Sequence, residues 1–600
     1  MDKNAIKKFA IWARRELIER VSQRAMIYGI SAEEAGDPNA VSVNGHLLSA
    51  VEKRQRQALI HNIKEKGYEQ VMEEVAYTWF NRFAALRFME VNGYLPSHIR
   101  VFTNDAGEFK PQILAEAIHL ELDGLDMNQV YELENANKSE ELFKYLLIVQ
   151  CNALNRFLPG MFQRIEDYTE LLLPDYLLRE GSVIEQMVTV IPEEDWMDQV
   201  QIIGWLYQYY NTEPKESAFS KKGKLTKDEV PAATQLFTPD WIVHYMVENS
   251  LGRLWLNGHP NERLQKDWQY YLEEAPQELE VQNQLAVIQK DYSSLKPEEI
   301  RVIDPCCGSG HILLVVIDVL IGIYESYGYS SRDAIVNIVN NNIWGIDVDD
   351  RATQLTYFSV MMKALQYNRR FLYLDVHPHI YSILESNQID SQVIHSFCGN
   401  HLELRESIER IVASLKDAKE YGSAITTPKV DYGALRNRFK EIQNDETLSL
   451  YSETIQSDLR TMVEIAESLS QQYHVVLTNP PYMKKANMSP KLDAFVKKYY
   501  DSSKADMYSV FIEKCYSLTK SNCFQGMITQ HTWMFLSSYE KLRNKLQNAT
   551  IINMVHLGAH AFEDISGEVV QTTSFILQKA KCKDYKGSYS RLVDASSPLT

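Results

Sequence analysis

The sequence predicts a doubly wound α/β domain of seven strands, preceded by a helical region, and three observations carry that expectation. Short apolar runs near residues 302, 344, 395, 475, 527, 552 and 574 are mostly separated by helical segments, the pattern of a sheet built with crossover helices. The first run ends in a glycine-rich turn, Asp304-Pro305-Cys306-Cys307-Gly308-Ser309-Gly310, before a helix from Ile312. The fourth, Val475-Val476-Leu477-Thr478, runs into Asn479-Pro480-Pro481-Tyr482. Proline has no N–H for a sheet ladder, so the pair ends the strand and stiffens the loop. Loops at the carboxyl ends of strands are where open α/β sheets place their chemistry.

Composition narrows the class. Hydrophobic residues make up 45% and charged residues 24%, enough apolar surface for a large core. No run of about 18 apolar residues is present, so no membrane-spanning helix is expected. The start, Met1-Asp2-Lys3-Asn4, lacks a signal-peptide core. Seven scattered cysteines, none paired at zinc spacing, point to reduced thiols in the cytoplasm and to no metal site. A net charge of −18 excludes a protein that coats nucleic acid by general basicity, and leaves local patches as the means of contact.

Residues 1–212 read as helical. Ile6, Phe9, Trp12, Ala13, Leu17 and Val21 recur at three- and four-residue spacing, as do Val71, Val75, Trp79 and Phe83 with Leu86 and Met89. Trp196 to Tyr210 is a third such run, rich in aromatics, and aromatics at helical spacing read first as core. Asp105 with Glu108-Phe109-Lys110 gives a crude nuclease-like pattern, but the acids are too close together and the segment reads as a solvated turn. Residues 213–233 read as a basic linker, punctuated by Pro214, Gly223 and Pro231 and carrying Lys221, Lys222, Lys224 and Lys227. In Phe237-Thr238-Pro239-Asp240, Thr238 is suited to N-cap the helix that follows and Pro239 to its first turn.

The glycines of the 304–310 turn allow a tight backbone, and exposed N–H groups at the following helix start attract negative groups. Without Gly-Lys-Ser/Thr this is no phosphate-binding P-loop, and a carboxylate fits as well as a phosphate. The second strand, Ile343 to Asp347, ends in an acid placed to hold ribose hydroxyls, with Val348 beside it. A third strand is expected over Ile394–Cys398, leading to Gly399-Asn400, and a helical insertion over 403–470. In the fourth loop the Asn479 amide oxygen, two fixed proline carbonyls and the Tyr482 ring suit a planar ring bearing an exocyclic amine. Lys484, Lys485, Lys491, Lys497 and Lys498 follow against a single acid, Asp493, which suits backbone phosphates or a plain solvated surface. A helix from Met507 and strands near 527, 552 and 574 complete the domain.

Phe-Thr-Pro, then the glycine loop, then Asn-Pro-Pro-Tyr is the motif order of the γ class of DNA adenine-N6 methyltransferases, which residues 234–580 resemble. The resemblance implies a Rossmann-like methyltransferase domain over 234–600 whose seventh strand is antiparallel. It implies S-adenosyl-L-methionine as cofactor, bound by Phe237, Thr238, Pro239, Asp304, Pro305, Cys306, Gly308, Gly310, Asp347, Val348, Asn400 and Asn479. The common form has alanine where Cys306 stands, and the third motif often has aspartate where Asn400 stands. Asn479, Pro480, Pro481 and Tyr482 would be the catalytic residues: an adenine flipped from double-stranded DNA stacks on Tyr482 while Asn479 and the Pro480 carbonyl hold its amine. The helical N-terminus, with Ile-Lys-Lys-Phe-Ala-x-Trp-Ala-Arg near its start and Gly-Trp-Leu-Tyr-Gln-Tyr-Tyr ending at Tyr210, resembles the methyltransferases of BREX phage-exclusion systems. That likeness implies other defence proteins as partners. The same loop also serves enzymes that methylate RNA or a protein glutamine, and a cofactor-sensing subunit of a defence complex is the alternative from another class. This class usually carries a target-recognition domain after the seventh strand. Only about twenty residues follow Gln578, ending Ser596-Ser597-Pro598-Leu599-Thr600, so such a domain is expected beyond this sequence and weak DNA binding within it.

Overall fold

The structure is a computed structural model describing residues 1–163, 168–220, 223–443, 451–559, 561–562 and 571–593. Lys221 and Lys222 of the linker, and the tail from Ser596 to Thr600, lie outside the described residues. The chain forms two compact units, one of Met1–Glu213 with Tyr357–Asp375, the other of Pro214–Thr356 with Val376–Thr600.

The first unit is built mainly of helices, with one small hairpin of Ser42–Val43 and His46–Leu47. The helix Lys3–Ile27 starts where the Asp2 carboxylate accepts the N–H groups of Asn4 and Ala5, and it buries Ile6, Phe9, Ala13, Leu17 and Val21. Tyr68–Val91 buries Val71, Val75, Trp79, Phe83, Leu86 and Met89. Gln201–Tyr210 adds Tyr210, whose ring meets Tyr77 edge-on at 4.9 Å. The aromatic runs are therefore core here. Arg87 is buried with them because Glu90 pairs with it at 2.7 Å, and Glu90 is fixed in turn by the N–H groups of Val101 and Phe102.

The second unit holds a sheet of eight strands: β1 Val302–Asp304, β2 Ile343–Asp347, β3 His379–Ser382, β4 Tyr473–Thr478, β5 Thr519–Gln530, β6 Thr550–Gly558, β7 Thr572–Gln578 and β8 Ser588–Arg591. Their order is β8-β6-β7-β5-β4-β1-β2-β3, all pairings parallel except those of β7, which runs antiparallel between β5 and β6. From β1 the chain builds outward through β2 and β3. It then returns to pair β4 on the other side of β1. Loops after β1 and β4 consequently open at the point where the strand order reverses, the place such sheets use for ligands. All six residues of β4 are buried, which is why its sequence is apolar or β-branched throughout except for His474.

Four expectations are corrected. The segment Ile394–Cys398 is not a strand but lies in the helix Ser391–Cys398, capped by Asp390 and ended by Gly399 at φ +52°. Val393, Ile394, Phe397 and Cys398 fall on one helical face, and all four are buried. The third strand is His379–Ser382, a half-buried edge strand, so the helical segment before β4 begins near Ser391 rather than at 403. The sheet has eight strands and not seven, because Ser588–Arg591 pairs with β6 in the stretch after Gln578, where no strand is expected. The basic linker is largely helical: Thr212–Ser220 and Val230–Thr234 are helices, with Pro214 and Pro231 in first turns where the missing N–H costs nothing. Among the described residues no helix is long and apolar enough to cross a membrane.

Candidate active site

Three loops meet at the reversal point. After β1, Gly308 and Gly310 take positive φ of +52° and +86°, which an L side chain rarely adopts. A Cβ on Gly310 would meet the Thr356 side chain at 2.8 Å, whereas nothing lies within 4 Å of the Cβ position of Gly308. The Thr356 hydroxyl donates to the Gly308 carbonyl at 2.6 Å, so the turn is clamped from behind and open in front. Pro305 and Cys307 are buried, and Cys306 is half-buried. Both thiols are free and pushed well above their ordinary range by burial, which makes them packing groups and not nucleophiles.

Asp304 and Asp347 end neighbouring strands. Asp304 Oδ1 accepts the Thr478 hydroxyl at 2.7 Å and the Cys306 N–H at 3.0 Å, while its Oδ2 is buried without a partner. Burial pushes its carboxyl up to about 7. Asp347 accepts the N–H of Gly308 at 2.9 Å and of Asp349 at 3.0 Å, bonds that oppose burial and leave its carboxyl raised only to about 6. Each of its oxygens keeps a lone pair for a further donor such as a sugar hydroxyl. Val348 is half-buried beside it.

Both carboxyls are raised above their ordinary value of 3.8, so the stability they contribute is complete below that value. It is lost as the pH rises through about 6 for Asp347 and about 7 for Asp304. Asp304→Asn should therefore flatten the fall in thermal stability between about pH 4 and pH 8, by on the order of a few kcal/mol. Melting curves across that range check this, and an unchanged slope would mean that Asp304 is ionised throughout.

The third element is Asn479. Its Nδ2 donates to Thr238 Oγ1 at 3.0 Å and to the Leu236 carbonyl at 3.3 Å, and its Oδ1 is buried without a partner. This corrects the capping expectation for Thr238. The residue at the cap of the helix Asp240–Val247 is Pro239, whose carbonyl accepts Ile242 and Val243, and the Thr238 hydroxyl is turned to Asn479 instead. Phe237 stacks on His311 with centroids 4.4 Å apart. Among the described residues no donor pairs with the Pro480 carbonyl. Pro481 and Tyr482 are half-buried. The Tyr482 hydroxyl donates to the Ile528 carbonyl at 3.3 Å, and its ring meets Tyr508 edge-on at 6.1 Å.

Asn400 does not join this group. It sits on an exposed turn after a helix, not at the end of a strand, so the reason for placing it beside a cofactor falls away. Three residues to which the sequence reading gave no site role complete the site: Thr356 behind the glycine turn, Thr478 on Asp304, and Asp506. The Asp506 carboxylate accepts the Met483 N–H at 2.9 Å and so fixes the chain just after Tyr482. Its place at the head of the helix Met507–Leu518 marks it as a cap, but a contact across 23 positions leaves no local pattern.

The comparisons agree in kind. Residues 341–562 match the family described as Eco57I restriction-modification methylase. Over 100% of its length the chain is 40% identical to an adenine-specific methyltransferase, PglX, from Lacticaseibacillus casei (strain Zhang), covering 52% of that protein. It is 39% identical over 99% of its length to an adenine-specific methyltransferase, BrxX, from Escherichia coli O9:H4 (strain HS), again covering 52%. The chain thus spans about half the length of the curated relatives it matches. Among solved structures, a Type IIL restriction-modification enzyme, MmeI, in complex with DNA aligns with 88% of this chain and 57% of its own at 12% identity, with a TM-score of 0.42, too distant a likeness to bear on function.

Proposed function

We propose, from its likeness to the adenine-specific methyltransferases PglX and BrxX, that the chain methylates the exocyclic N6 of adenine in double-stranded DNA. The observation that supports this most is Asn479, whose amide is fixed by Thr238 and Leu236 so that Oδ1 is left as a lone acceptor in the loop after β4. S-adenosyl-L-methionine supplies the methyl group, and the open face of Gly308 beside the Asp347 carboxylate fits such a nucleoside cofactor. Phe237, Thr238, Pro239, Asp304, Pro305, Cys306, Gly310 and Val348 complete the surround.

Asn479 Oδ1 and the Pro480 carbonyl accept the two amine hydrogens of the adenine. Holding both hydrogens in fixed acceptors keeps the nitrogen lone pair available and directed, so most of the catalysis is positioning. Tyr482 supplies the face on which the extruded base rests, and extrusion is required because N6 is out of reach inside a duplex. No thiol takes part, in keeping with the raised Cys306 and Cys307. We place the work in the cytoplasm, within a phage-defence system whose other proteins are partners. Methyl-labelled cofactor incubated with the chain and DNA, RNA or protein tests the reading. Label in DNA N6-methyladenine supports it. Label in RNA or in protein glutamine, or cofactor binding with no transfer, overturns it.

A further inference from the structure

Five lysines follow Tyr482, and the structure separates them. Lys491 lies 2.9 Å from Asp417, and Lys497 is paired with Asp493 one helical turn away. Lys498 rests over the Tyr499 ring, 4.7 Å from its centroid. Lys484 and Lys485 are exposed and have no acidic partner within 4 Å among the described residues. The acid that bears on Lys484 is Asp506, which is buried and bonded to the Met483 N–H.

The backbone under these two lysines is firmly held. Met507 N–H donates to the Met483 carbonyl at 3.0 Å, and Lys485 N–H to the Ala505 carbonyl at 3.1 Å. A second lysine segment arrives from the other end of the domain. Leu225 N–H donates to the Asn487 carbonyl at 3.0 Å, seating residues 223–226 against this turn, with exposed Lys224 next to that bond. Asp493 is held below the usual carboxylate range by its bond from Lys497 first and also by the charges of Lys485 and Lys224, so both ammonium groups lie within electrostatic reach of that one carboxylate.

Three exposed ammonium groups, gathered from segments about 260 positions apart beside the Asn479–Tyr482 loop, stand out in a chain of net charge −18. All three are exposed, which suits an extended polyanion better than an enclosed small anion. We infer that Lys224, Lys484 and Lys485 form a seat for the sugar–phosphate backbone of duplex DNA flanking the base that enters the loop. The inference rests on the proposed function and adds to it where the strand lies. Extruding a base has an unstacking cost, phosphate contacts fix the strand's register and orientation while it is met, and lysines next to Tyr482 are placed for that.

The test is the salt dependence of binding to a short labelled duplex, starting at low ionic strength. Each phosphate contact adds about 0.9 to the slope of log K against log salt. K224A/K484A/K485A should lower the slope by about two to three, while K491A/K497A, which removes lysines already paired, should leave it nearly unchanged. Cofactor affinity should be the same in all three proteins, which shows that the fold is intact. An unchanged slope in the triple variant, a larger fall in the double variant, no binding by the parent at low salt, or binding of duplex RNA but not of DNA overturns the inference. Labelled-methyl transfer on the same proteins separates the two claims. Methylation with an unaltered slope sinks the seat alone, and loss of slope in a chain that transfers no methyl sinks the reaction alone.

Discussion

Asn479→Ala is expected to cut methyl transfer by about a hundredfold or more, the scale seen when one fixed hydrogen-bonding group is removed from a preorganised site. The amide carries two separate tasks in this structure. Its Nδ2 ties the loop after β4 to Thr238 and Leu236, and its Oδ1 is left for substrate. Alanine removes both, so a control is needed for the tie. Thr238→Val removes one acceptor of Nδ2 and keeps Oδ1, and should cost far less, on the order of 1 kcal/mol or tenfold at most. Cofactor affinity should fall far less than transfer in Asn479→Ala, since Asp347 and the glycine turn make most of the proposed cofactor surround and do not bond to this amide. Single-turnover transfer measured at saturating cofactor separates the cases. Full activity in Asn479→Ala, or equal losses in the two variants, would reassign Asn479 to holding the loop.

The parts of the site legible in the sequence are those whose chemistry is local. A strand buried on both faces must be apolar along its length, and two prolines must end it, so Tyr473–Thr478 and the loop after it are written in consecutive residues. The turn after β1 requires backbone conformations that glycine adopts freely, and Gly308 and Gly310 stand at those positions. The third strand was illegible for the opposite reason. His379–Ser382 is a half-buried edge with a polar residue at each end, whereas Val393 to Cys398 is more apolar and longer. A short apolar run fits strand and helix alike, and here the Asp390 cap and the Gly399 stop carried the better signal. The placing of Asn400 at a strand end fell with that strand.

Contacts that cross the chain left no trace in sequence order. The five lysines after Tyr482 look equivalent as a run. Which of them are neutralised depends on Asp417, 74 positions away, and on the helical spacing of Asp493 to Lys497. Thr238 looks like a helix cap because it precedes Pro-Asp and a helix, yet its partner lies 241 positions on. Capping rules weigh only neighbours, and the stronger claim came from an amide that would otherwise be left with an unpaired buried donor.

Tyr482→Ala is expected to lose a base-stacking contribution of about 1–3 kcal/mol, or roughly five- to 150-fold in binding of the extruded base. Tyr482→Phe should keep most of it, because the ring face is retained. The structure adds a reason to expect a small but real loss in the phenylalanine variant. The hydroxyl donates to the Ile528 carbonyl at 3.3 Å, a long bond that orients the ring while Tyr508 supports its edge at 6.1 Å. Losing a bond of that kind costs about 0.5–1.5 kcal/mol at most, less than losing the ring. Alanine would also leave a hole beside Tyr508, so a structural loss must be told apart from a stacking loss. Thermal melts report the hole, and fluorescence of an adenine analogue at the target position reports the stacking. The expected result is a bright, poorly stacked analogue with Tyr482→Ala, a quenched one with Tyr482→Phe and the parent, and cofactor affinity alike in all three. Equal loss of transfer in the alanine and phenylalanine variants would assign the work to the hydroxyl, and the ring would then no longer be the base platform.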